Sequence, residues 1–75
     1  MRQKSKDAIR RDFSVNLRKE LSRRGLNMAE AARAAGVDVA VMWRWCNNLS
    51  APDVASLYKL GRKLGISADK LLGLK

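Results

Sequence analysis

Apolar residues in this chain recur at helical spacing, and no stretch sustains the two-residue alternation of a strand. Ile9, Phe13, Leu17 and Leu21 follow one another at intervals of four and mark one stripe of a first helix. That helix is predicted to run from Ser5 or Lys6 to Arg24, where Gly25 ends it. Arg23 and Arg24 then lie at the negative end of its dipole. Asn27 is the next N-cap, ahead of Met28 to Ala35, a run of strong helix formers stopped by Gly36. Asp38 is predicted to cap a third helix from Val39 to Cys46 or Asn47. Asn47 to Pro52 reads as a loop of turn residues. Asp53 caps a fourth helix, Val54 to Leu64, with Val54, Leu57, Tyr58, Leu60 and Leu64 as its apolar set. Ser67 caps a one-turn fifth helix carrying Leu71 and Leu72. The expected fold is all-α, a compact five-helix bundle in a single domain over 1–75, with 1–6 as a flexible basic arm.

Composition excludes several kinds of chemistry. The chain has one Cys and no His, so neither a Cys/His zinc site, an internal disulfide nor a histidine base can form. No set of acids, bases and a nucleophile converges, so an enzyme is not expected, nor any metal or cofactor. No small-molecule ligand is evident. No apolar run approaches the ~20 residues of a membrane span, and the charged N-terminus lacks the apolar stretch of a signal peptide. The expectation is a reduced, cytoplasmic protein without a membrane partner. Charge points elsewhere: 16 Lys and Arg face 7 Asp and Glu, a net charge of +9. The basic residues crowd the first 27 positions and the segment after Asp53, and the centre is near neutral. Basic flanks suit phosphate, and a neutral centre suits a more specific contact.

The centre holds the informative constellation. Asn27 to Asn48 reads as a short helix, a turn at Gly36-Val37-Asp38 and a second short helix. Two helices joined by a short turn containing Gly form the DNA-binding helix-turn-helix. Gly36 supplies positive φ to the turn, and Ala32, one turn earlier, is small enough for close helix approach. Val37, Met42 and Trp45 plug the second helix into the core. Val39, Ala40, Trp43, Arg44 and Asn47 then point outward. Trp43 has two readings, a DNA contact or a contact with a protein partner. Cys46 reads as a small, half-buried hydrophobe.

The motifs extend well beyond this turn. Gly25-Leu26-Asn27, Ala32, Gly36-Val37, Pro52, Leu57-Tyr58-Lys59-Leu60, Lys63, Leu64-Gly65-Ile66-Ser67, Asp69 and Leu71-Leu72 follow one pattern without a gap. With them the chain resembles the Cro/repressor-type, XRE-like helix-turn-helix family of lambdoid phages and their bacterial relatives, over about residue 13 to residue 74. The resemblance implies a lambda-repressor-like bundle whose helix-turn-helix is made by the second and third helices. It implies base reading in the major groove by Val39, Ala40, Trp43 and Arg44, on a recognition helix over 39–47. It implies phosphate contact by Arg10, Arg11, Asn27, Met28, Asn47 and Asn48. Three positions depart from the family. Met28 stands where the family commonly has Gln, Leu21 and Cys46 replace an Arg–Glu ion pair, and Asn48 replaces a Gly after the recognition helix.

The implied function is a sequence-specific double-stranded DNA-binding regulator, a repressor or Cro of phage or prophage type. It would bind as a homodimer to an operator with two half-sites, because one short helix reads few base pairs. The alternative is a protein-binding module, such as the antitoxin of a toxin–antitoxin pair, with Trp43 at the interface.

Overall fold

The computed structural model describes residues 4–74. Five helices follow in order: α1 Lys6–Arg23, α2 Met28–Ala35, α3 Val39–Cys46, α4 Val54–Leu64 and α5 Ala68–Leu72. Among the described residues there is no strand. The fold is all-α, with helix boundaries close to those the spacing predicts. Ser5, Asn27, Asp53 and Ser67 each cap a helix by accepting a backbone N–H three residues on. Asp38 does not: its backbone is extended, but its carboxylate makes no capping bond, so the expected side-chain cap of α3 is absent. Of the arm expected over 1–6, residues 1–3 lie outside the described residues. Lys4 pairs with Asp12, Ser5 caps α1 and Lys6 already belongs to it.

The core collects one face from every helix. Phe13, Leu17 and Leu21 of α1 share one buried cluster with Ala31, Ala32 and Ala35 of α2 and with Met42, Trp45 and Cys46 of α3. Leu60 and Leu64 of α4, Ile66, and Leu71 of α5 close it. The expected stripe of α1 holds from Phe13 onward, but Ile9 is 41% exposed because α1 overruns the core at its start. Val54 and Tyr58, expected in the apolar set of α4, are also exposed. They sit toward the start of α4, and the Tyr58 ring carries Arg62 5.9 Å from its centroid instead. Size matters at three alanines of α2, not at Ala32 alone, since α2 packs on both α3 and α4.

Two buried polar groups tie the helices together. Ser14 Oγ donates to the Cys46 carbonyl at 2.7 Å and pins α1 to the end of α3. Glu20 is buried and accepts from Arg24 at 2.6 Å and Arg23 at 3.0 Å, with Lys70 of α5 at 3.5 Å. The Arg24 bond above all, with the charges of Arg23 and Lys70, outweighs desolvation and holds the Glu20 carboxyl below the usual range. A depressed folded-state pKa contributes stability above the unfolded value of 4.5, and that contribution is lost as pH falls through the folded value. Acidification below that value is therefore expected to lower the unfolding free energy, and Glu20→Gln to flatten part of the slope. Urea unfolding at a series of acidic pH values measures both. An unchanged slope in the variant would remove Glu20 from the account.

Candidate nucleic-acid interface

The turn between α2 and α3 sets the geometry. Gly36 takes φ 74°, the left-handed conformation that closes α2, and the Val37 N–H returns to the Ala32 carbonyl at 3.0 Å. The side chain of Lys63 lies against Gly36 from α4. Val37 is half-buried and packs on the core, while Met42 and Trp45 are buried, as their spacing implies. Trp45 meets Phe13 edge-on, with ring centroids 6.5 Å apart and planes at 79°. With that inner face locked, the other face of α3 turns outward. Val39, Ala40, Trp43 and Arg44 are all exposed.

The end of α3 repeats the device. Asn48 takes φ 61°, and the Leu49 N–H returns to the Arg44 carbonyl at 3.0 Å. Asn48 tolerates this conformation and adds what Gly lacks: its Oδ1 accepts from Arg10 Nε at 3.0 Å, locking the turn to α1. Leu49 is thereby folded back beside α3. An open apolar groove results, lined by Met28, Val39, Ala40, Trp43, Arg44 and Leu49. Leu49 is the member that sequence reasoning missed. An apolar residue inside a run of turn formers was the available signal.

The residues proposed for phosphate are less uniform. Asn27 is engaged in a capping box with Glu30, so its own N–H and its side-chain carbonyl both have partners. The amides of Met28 and Ala29, inside the same turn, have no intrahelical acceptor. Asn47 donates its side-chain amide to the Trp43 carbonyl at 2.8 Å. Arg10 and Asn48 hold each other. Arg11 is exposed on α1, and no hydrogen bond ties it to the groove. Leu21 and Cys46, which stand where the family has an ion pair, share one buried cluster. Burial pushes the Cys46 thiol up, against a smaller opposing influence of Arg18, so it is a poor nucleophile. Among the described residues no three His, Cys, Asp or Glu gather to hold a metal ion.

An outward helix held by a tight turn over a sealed core defines a helix-turn-helix domain. A family model described as Helix-turn-helix matches residues 16–71, and the chain belongs to that family. The fold is that of a crystal structure entitled as an HTH_3 family transcriptional regulator from Vibrio cholerae, with a TM-score of 0.85 at 21% identity. The match covers 95% of this chain and 40% of that one, so this chain spans less than half of the other's length. The sequence has no match among the curated proteins searched. The family is a non-enzymatic one. No helix among the described residues is long and apolar enough to cross a membrane.

Proposed function

We propose that this chain is a sequence-specific double-stranded DNA-binding transcriptional regulator of repressor or Cro type. The observation that carries this is the exposed face of α3. Val39, Ala40, Trp43 and Arg44 stand outward from a helix whose opposite face is locked in the core, in a chain of net charge +9. Helix α3 lies in the major groove, where Arg44 pairs with guanine O6 and N7. The free amides of Met28 and Ala29, at the positive end of α2, meet a phosphate. Arg11 supplies further attraction to phosphate, and Arg10, Asn47 and Asn48 hold the end of α3 in register against the strand. Two copies bind two half-sites, since one short helix reads too few base pairs for a unique address.

Selection from a random duplex pool, followed by titration of the selected site by fluorescence anisotropy, tests the proposal. Arg44→Ala is expected to lose about 1–3 kcal/mol and to relax preference at one base position. Affinity of the native chain is expected to fall steeply with salt. Unchanged affinity and preference in the variant would remove Arg44 from base reading. A binding strength independent of salt would argue for a protein partner instead.

A further inference from the structure

We infer that the groove between α2, α3 and the turn after α3 is a methyl-reading surface that selects half-sites in which thymines flank a guanine. The inference rests on the DNA-binding proposal above and gives it a sequence class. Five of the six residues lining the groove are apolar: Met28, Val39, Ala40, Trp43 and Leu49, with Arg44 as the only charge. They come from the first turn of α2, the outward face of α3 and the turn that ends it, so the groove is assembled rather than incidental.

The chemistry of base edges narrows what such a surface can recognise. In the major groove, bases offer hydrogen-bond donors and acceptors to polar side chains and one apolar group, the C5 methyl of thymine. Here the only side chain able to make a bidentate contact with a base is Arg44, which suits guanine. The remaining lining side chains suit methyl groups. Met28 thereby takes a role of its own. It presents a flexible thioether to the groove, apolar and able to follow a methyl group.

Charge complementarity favours DNA over a second copy of the chain as occupant. The groove reaches the start of α2, where the amides of Met28 and Ala29 lack acceptors, and Arg44 is its one charged lining side chain. The Arg44 guanidinium and the α2 amides suit guanine and phosphate, and the chain as a whole carries +9. An apolar strip with these donors beside it complements a methyl-lined groove edged by phosphates. It does not complement another strongly basic chain.

The test replaces thymine by deoxyuridine, one position at a time, in the site selected from a random pool. This removes a methyl and leaves every hydrogen bond of the base pair intact. Each contacted methyl is expected to cost about fourfold in affinity, the value of one buried methyl-sized group. Leu49→Ser and Met28→Gln are each expected to bring the thymine-to-uracil ratio toward one at a single position, with an unchanged salt slope. Leu49 is exposed in a loop, so its replacement leaves the core intact, and the change made in the DNA needs no variant at all. A selected site without thymine, or a ratio of one at every thymine, overturns methyl reading while DNA binding stands. A pool from which no sequence is enriched overturns the DNA-binding proposal itself, and methyl reading with it.

Discussion

Trp45→Ala is expected to destabilise the chain by about 3–5 kcal/mol, and Trp43→Ala by ~1 kcal/mol or less. The two tryptophans are two residues apart on one short helix, yet Trp45 is 5% exposed and Trp43 50%. Removing Trp45 empties the space between α1 and α3 and abolishes its edge-on contact with Phe13. A domain of this size has a total stability of only about 4–11 kcal/mol, so the loss takes at least about a quarter of it and at the low end all of it. Removing Trp43 opens no cavity in the core, because half of the side chain already meets solvent. Under the proposed function its cost appears in binding to the selected duplex rather than in folding. Urea unfolding followed by circular dichroism measures the first quantity, and anisotropy titration the second. Equal stability losses would mean that the inner and outer faces of α3 are wrongly assigned.

Gly61→Ala is expected to destabilise by about 2–3 kcal/mol, although alanine is the better helix former by ~1 kcal/mol. A Cβ at residue 61 would stand 2.6 Å from the carbonyl oxygen of Ile66. That oxygen belongs to the backbone, so no rotamer change relieves the clash. Nor can the turn easily retreat, because the Ile66 N–H is bonded to the Gly61 carbonyl at 2.9 Å and the Ile66 side chain is buried. Gly65 provides the contrast. A Cβ there would meet nothing within 4 Å, and only its φ of 70° opposes a side chain. Gly65→Ala is expected to cost about 1–2 kcal/mol, the strain of the left-handed conformation alone. Thermal or urea unfolding of the two variants side by side decides the order. A smaller loss at residue 61 than at residue 65 would show that the turn after α4 yields.

Local chemistry made much of this protein legible from sequence. Asn27, Asp53 and Ser67 cap the helices expected of them, because a cap needs partners only three residues away, whereas Asp38 does not. The left-handed turn at Gly36 follows equally from neighbours in the chain, and helical period alone puts Met42 and Trp45 on one face of α3. What depends on distant partners was decided by the tertiary structure. Periodicity marks Ile9, Val54 and Tyr58 as apolar positions, but only the extent of the packed core determines that they stay in solvent. Glu20 is spaced for Arg23 and Arg24, yet its burial and its third partner, Lys70, require α5 to cross α1. Ser14 looks like any small polar residue until the end of α3 brings the Cys46 carbonyl within hydrogen-bond reach. The groove is the clearest case. Val39, Ala40, Trp43 and Arg44 share one face by helical period alone, which the sequence determines. Met28 and Leu49 join them only because two left-handed turns, at Gly36 and Asn48, fold the chain back on both sides of α3.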